Sequence, residues 1–248
     1  MKTTAADIIQ TLQMMSDDAQ RKVYMSFFKT GKGDYGEGDV FLGVRNPQVR
    51  MVVREAWQTT AEDEVIKLIT NEIHEVRLCG LLILVKQMER ADKRHNDDEM
   101  RRIFNLYCSL HRHINNWDLV DLSAITIVGI WETRHPEEKL LENWSAAKDS
   151  TLWQRRIAMV STWRLIRAGR YDEVVVRAER LLDSREDLLY KAAGWMLREL
   201  GKIGDMQVLL NFLDNHVAQM PSVMLRYAIE KFAPQERKYW LERRAKKS

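Results

Sequence analysis

The sequence predicts an all-α fold built from stacked helix pairs, and three observations carry that reading. Only 4 prolines and 11 glycines interrupt 248 residues. Leu, Met, Ala, Glu, Lys and Arg, all good helix formers, fill the intervals at helical spacing. Small residues also recur at a near-constant interval: Gly80, Ala124, Ala158, Gly194 and Ala228 are separated by 44, 34, 36 and 34 positions, each followed by an apolar helical run. Intervals of that size suit two-helix solenoid repeats of the HEAT and armadillo kind, where each pair needs a neighbour to bury its face. The expectation is a single domain over residues 1–248, an α-solenoid of HEAT-like helix-pair repeats (an α-α superhelix), with about a dozen helices and no sheet.

Taken in chain order, the helix signals are local. Ser16-Asp17-Asp18 opens a helix, and the pattern Lys22 to Lys29 continues it. Asn46-Pro47 reads as an N-cap with proline at the first helical position. The run Cys79 to Val85 is the longest apolar stretch of the middle region. His135-Pro136-Glu137-Glu138 and Met220-Pro221-Ser222 open further helices, and Gly169 and Gly201 read as stops.

Composition excludes several classes. The Cys79–Val85 run is too short to span a bilayer, and Met1 to Asp7 has no apolar signal core, so a cytoplasmic protein without membrane contact is expected. Cys79 and Cys108 lack CxxC spacing and read as buried, inert thiols. Residues 1–150 hold 20 Lys+Arg against 24 Asp+Glu, whereas residues 151–248 hold 19 against 12. A basic C-terminal half suits a surface offered to a phosphate backbone, or equally a solvated face with a basic tail (Arg237, Lys238, Arg243, Arg244, Lys246, Lys247).

Motif searches remove more. Gly31-Lys32-Gly33-Asp34-Tyr35-Gly36 matches G-x-G-x-x-G but follows a helical pattern, so it reads as a loop rather than a dinucleotide site; Tyr35 is kept as a minor ligand candidate. His111 and His113 point to different helix faces, and there is no HExxH motif or nucleophile elbow. No metal and no cofactor is expected.

What remains is charge and aromatic side chains sharing helix faces. From Leu119 to Trp131 the chain is apolar but for one charge, Asp121. Burying a carboxylate there costs several kcal/mol unless it is paired or put to use. Trp117 stands four residues before it, in one stripe with Ala124 and Val128. Three residues before each small repeat position stand Arg77, Asp121, Arg155, Lys191 and Leu225. Asp121 is thus the acid in a slot that is basic in three repeats, either a functional carboxylate in a cationic face or one rung of a structural Asp/Arg ladder. Arg156 shares an apolar stripe with Leu152, Met159 and Trp163, and Lys191, Trp195, Arg198 and Lys202 set an indole among three cations. Such a stripe is a nucleic-acid surface or a solvated face.

These residues resemble the AlkD-type DNA alkylation-repair glycosylases, HEAT-like α-solenoid proteins that remove alkylated purines from DNA. The resemblance covers most of the chain: Phe41-Leu42-Gly43-Val44-x-x-Pro47-x-x-Arg50, Trp117-Asp118-x-Val120-Asp121, Trp153-x-x-Arg156 and Gly194-Trp195-x-Leu197-Arg198-Glu199. The motifs are specific in combination and weak singly. Asn116, before Trp117, departs from members with a second aromatic there, and the glycine loop Gly31 to Gly38 interrupts any transfer to Tyr35.

The resemblance implies a monofunctional glycosylase of base excision repair that acts on double-stranded DNA with alkylated bases; a monomer is expected. Asp121 would be the catalytic carboxylate, Trp117 and Trp195 would flank the lesion nucleotide, and Arg156 would contact the nearby backbone. Lys191 and Arg198 would bind DNA. N3- and N7-alkylpurines are cationic and leave without protonation, so one carboxylate suffices where most glycosidases use two. No second carboxylate is expected to accompany Asp121 in its helix as leaving-group acid, so neutral lesions should be refused. The alternative is a non-catalytic HEAT-like scaffold that binds DNA or protein.

Overall fold

The computed structural model describes residues 2–245, and every regular element among them is a helix; two isolated backbone bridges, Thr3 to Thr60 and Val40 to Ile73, are the β-type pairings found there. Lys246 and Lys247 of the basic tail lie outside the described residues. No helix among the described residues is long and apolar enough to cross a membrane. The chain divides into two compact units, Met1–Ile127 and Val128–Ser248.

The first unit holds α1 (Ala5–Met14), α2 (Asp18–Phe27), an irregular stretch, α3 (Asn46–Ala56), α4 (Glu62–Ile69), α5 (His74–Lys93), α6 (Asp97–Ser109), a 3-10 turn (His111–His113) and α7 (Trp117–Asp121). Side-chain caps set several starts: Thr4 and Asp7 form a capping box on α1, Asp17 accepts from the backbone N–H of Ala19 and Gln20, and Asn96 accepts from that of Glu99. Helix α5 is buried almost all round and packs against α1, α3, α4, α6 and α7. It is the spine of this unit. Gly80 permits its close approach to α4, since a Cβ there would lie 2.8 Å from Ile69 Cγ1.

The chain then enters α8 (Ala124–Arg134), followed in the second unit by α9 (Leu140–Ala146), α10 (Leu152–Val160), α11 (Thr162–Arg167), α12 (Tyr171–Glu179), α13 (Asp187–Ile203), α14 (Met206–His216), α15 (Ser222–Ala228) and α16 (Pro234–Ala245). Here α13 is the spine, packed against α10, α11, α12, α14 and α15. A Cβ on Gly194 would stand 2.5 Å from the Met224 carbonyl oxygen of α15. A buried ion pair of Arg177 with Glu132 ties α12 to α8, and the same guanidinium donates to the Ala158 carbonyl of α10 at 2.8 Å.

The five small positions of the repeat fall in α5, α8, α10, α13 and α15, and all five are buried. The all-α class is borne out, and the helix pairing is consistent with an α-solenoid. Several local expectations are corrected. Asn46 is the first residue of α3 rather than its cap; Arg45 is the cap, with its N–H donating to Gln48 Oε1. Pro136 opens no helix, because Glu138 accepts from the N–H of Leu140 and moves the start of α9 there. Gly201 lies inside α13, which runs to Ile203 with Gly204 as its C-cap. Helices outnumber the expected dozen because long patterns are broken, most consequentially at Leu122-Ser123. There the Ser123 hydroxyl donates to the Leu119 carbonyl and meets the Tyr107 hydroxyl at 2.9 Å, which turns the chain between α7 and α8.

Candidate active site

Trp117 and Asp121 lie one turn apart on α7, both half-buried, and line one cavity of about 280 Å³ in the first unit. Its walls come from four other places in the sequence. The end of α2 supplies Tyr24, Phe27 and Phe28; the following stretch supplies Phe41 and Val44; α3 begins with Asn46; α5 begins with His74 and Glu75 and adds Leu78. The aromatic rings form a connected wall. Phe28 stacks on Trp117 with centroids 5.4 Å apart and on Phe41 at 5.1 Å, while Phe27 meets Trp117 edge-on at 5.8 Å. Gly43 lets this wall close: its φ is +84°, and a Cβ would lie 2.1 Å from the Asp17 carbonyl oxygen at the base of α2.

The cavity carries more ionisable groups than Asp121. Asp118 stands three residues earlier on the same helix, and Glu75 faces from α5. Asp118 is thus a second carboxylate on the helix of Asp121, where none was expected to serve as leaving-group acid. Both extra carboxylates are engaged as acceptors. Asp118 Oδ2 lies 2.9 Å from His74 Nε2, and its Oδ1 accepts from the Leu119 N–H at 2.8 Å. Glu75 Oε1 accepts from the backbone N–H groups of Leu42, Gly43 and Val44 at 2.8 to 3.2 Å. The other nitrogen of His74 lies 3.2 Å from Asp39, a buried carboxylate that also accepts from Arg77 at 2.6 Å and Asn116 at 2.9 Å. Burial opposes ionisation of Asp39, but His74, Arg77 and Asn116 together hold its carboxyl below the usual range. Asn116 caps α7, its Oδ1 accepting from the Trp117 N–H. Asn46 Oδ1 is buried without a hydrogen-bond partner.

Beside this cavity, and sharing Leu122 with it, the first unit has a broader depression of about 580 Å³. Its lining includes Arg50, Arg54, Trp57 and Lys86, with the acid Glu89 among them. Lys86 is paired with Glu89 at 2.8 Å.

In the second unit Lys191, Trp195, Arg198 and Lys202 do share a face of α13, with Trp195 half-buried rather than open to solvent. The cations are partly committed. Lys191 pairs with Asp187 at 2.6 Å, and Arg198 pairs with Glu230 and, at 3.1 Å, with the buried Glu199. Arg156 is 5% exposed on α10, with a guanidinium N–H donating to the Leu188 carbonyl. Arg77, in the basic slot of the repeat, is spent inside the first unit on Asp39 and the carbonyls of Asn71 and Glu72.

The sequence model of the family described as DNA alkylation repair enzyme matches residues 8–232. The chain belongs to that family. Among solved structures, one described as a predicted DNA alkylation repair enzyme from Enterococcus faecalis matches with a TM-score of 0.69 and 17% identity, over 90% of this chain and 100% of that one, which shows a shared fold. No curated protein matches the sequence.

In this member of the DNA alkylation repair family, the structure brings the Trp117/Asp121 pair that the sequence singles out to one cavity. Sequence reasoning meets Phe41, Val44 and Asp118 only as members of the quoted motifs, without a place in the site, and misses the rest of that cavity. Tyr24, Phe27 and Phe28 do leave a signal, aromatics at i, i+3 and i+4 on one helical face. Tyr35, the aromatic that the glycine loop suggests, is not among the cavity's lining residues. Asn46 signals only a helix start, and His74 carries no local signal, because its partners are 35 and 44 residues away. Both cysteines are buried, and burial pushes the Cys79 thiol up to about 12, which suits the inert reading. Among the described residues no group of three or more His, Cys, Asp or Glu is arranged to hold a metal.

Proposed function

We propose that this chain is a monofunctional DNA glycosylase that hydrolyses the N-glycosidic bond of positively charged N3- and N7-alkylpurines in duplex DNA. The observation that carries the proposal is the placement of Trp117 and Asp121, one turn apart, in an aromatic-walled cavity whose other carboxylates are engaged as acceptors. A cationic alkylpurine leaves as a neutral base, so the reaction asks for no proton donor and no metal. As the bond stretches, positive charge grows on the deoxyribose. Asp121 stabilises that charge and orients the attacking water. The face of Trp117 turned away from Phe28 adds cation–π attraction in a partly dry site, while Phe28 covers the back of the indole.

Duplex binding draws on cationic side chains in each unit. Arg50, Arg54 and Lys86 rim the depression that adjoins the cavity in the first unit. In the second unit Trp195 flanks the lesion and Arg156 contacts the backbone, roles that rest on the family resemblance, and Lys191 and Arg198 track phosphates, a role that rests on the basic stripe of α13. The protein acts as a monomer.

The deciding experiment is Asp121→Asn on duplex DNA methylated at purine nitrogens, with released bases analysed directly. Base release should fall by at least roughly a hundredfold while DNA affinity stays within a few-fold, since charge is lost and shape is kept. Activity per folded molecule unchanged, with a collapse in melting temperature, would make Asp121 a structural residue and favour a DNA-binding scaffold.

A further inference from the structure

We propose that His74 is a positioning residue for this site: donating from both ring nitrogens, it clamps α7, and with it Trp117 and Asp121, against the first turn of α5 and the aromatic wall. Helix α7 has five residues, far too few to hold a conformation on its own. Its placement is set by what grips it. Asp118 is gripped by His74 Nε2, and the cap residue Asn116 is gripped by Asp39, which His74 Nδ1 also reaches. The ring faces do the second half of the work. The imidazole stacks on Phe41 at 4.7 Å and lies 5.0 Å from Phe28, and Phe28 in turn stacks on Trp117.

The geometry selects the imidazolium. A neutral imidazole has one N–H, so one of the two carboxylates would face a lone pair at hydrogen-bond distance. His74 is 2% exposed, and water cannot take the place of the missing donor. The charges around the ring are Asp39 from the stretch before α3, Arg77 from α5 and Asp118 from α7; Glu75 of α5 is turned to the N–H groups of residues 42–44, and Tyr24 faces from α2. Two cations balance Asp39 and Asp118. Removing the proton leaves a buried surplus carboxylate and one loose anchor of α7. Burial disfavours the charged ring, yet Asp118 and Asp39 outweigh it and raise His74 to about 9. The clamp therefore holds through neutral pH and slackens above it.

The activity arm of this proposal rests on reading Asp121 as the reacting carboxylate; the structural arm does not. Imidazole 15N spectroscopy on the whole protein should find both nitrogens of His74 protonated at about pH 7.5, and the indole resonance of Trp117 should shift with the same midpoint as His74. Asp118→Asn, which removes one countercharge, should lower both midpoints together by about a unit or more. Single-turnover base release from a duplex with one 7-methylguanine should then lose roughly fivefold or more, relative to wild type, between about pH 7 and 9, with KM for DNA changed by less than about threefold. The ratio to wild type cancels the titration of the substrate itself. Should Asp118→Asn fail to fold, Asp39→Asn tests the same coupling from the other nitrogen. A neutral ring at neutral pH, a Trp117 resonance indifferent to His74, or a flat activity ratio overturns the proposal. Intact spectroscopic coupling in a protein that releases no base would sustain the clamp and refute the role given to Asp121.

Discussion

Phe28 and Trp117 stack with ring centroids 5.4 Å apart and planes 23° from parallel, joining the end of α2 to the helix that carries Asp121 across almost ninety residues of sequence. The contact makes the wall of the cavity and part of its electrostatics at once. An indole whose back is covered by another ring is held in one orientation toward whatever enters.

Phe28→Leu keeps most of the buried volume and removes that stacking. An aromatic pair of this kind is worth about 0.5–1.5 kcal/mol beyond its area. Base release from methylated duplex should therefore fall by roughly three- to tenfold through kcat, with DNA affinity little changed. Single-turnover kinetics on the variant checks this; an effect confined to KM would place Phe28 in binding rather than in holding Trp117.

Lesion choice follows from the engaged carboxylates. Asp118 and Glu75 sit at the cavity, but their oxygens accept from His74 and from four backbone N–H groups, so neither is placed as a leaving-group acid. A neutral base leaves as a poor anion unless protonated, and each 1.4 kcal/mol of missing help costs about tenfold. Uracil and hypoxanthine should remain in duplexes from which 7-methylguanine is released. Comparable release of hypoxanthine would show that one of these groups gives up a proton after all.

Salt dependence tests the cationic stripe of α13. Where Lys191 and Arg198 each neutralise one phosphate, Lys191→Ala and Arg198→Ala should each lower the slope of log K against log salt by roughly one, on damaged and undamaged duplex alike. Arg198→Ala should weaken binding more than Lys191→Ala, because it also removes the guanidinium shared by Glu199 and Glu230 and leaves them only Lys202 and Lys231 as cationic partners. Unchanged slopes would mean that both cations are spent on their internal pairs.

Stability should carry the mark of His74. Its folded value, about 9, lies above the ordinary 6.5, so the stability it contributes is complete below about pH 6.5 and is lost as pH rises through about 9. Over that window the linkage amounts to up to about 3 kcal/mol. Melting temperatures of the wild type should fall across it, and those of His74→Gln should start lower and fall less. Parallel curves for the two proteins would show that the ring titrates alike in the folded and unfolded chain.

What the sequence by itself determined is everything that depends on spacing along a helix. The repeat of small residues marks the crossings where Gly80 and Gly194 bring helices together, and i,i+4 spacing puts Trp117 beside Asp121, because helical geometry is local and periodic. Tertiary structure decided which charge meets which. Arg77 and Lys191 occupy equivalent slots of the repeat, yet Arg77 is buried on Asp39 while Lys191 stays half-exposed beside Asp187. Phe28 reached Trp117, and His74 reached both Asp39 and Asp118, only because α2, α5 and α7 converge in space. Periodicity states which face of a helix is buried; it is silent on the partner. The partner is chosen when desolvation makes every unpaired buried group costly, and that cost exists only once the chain has folded.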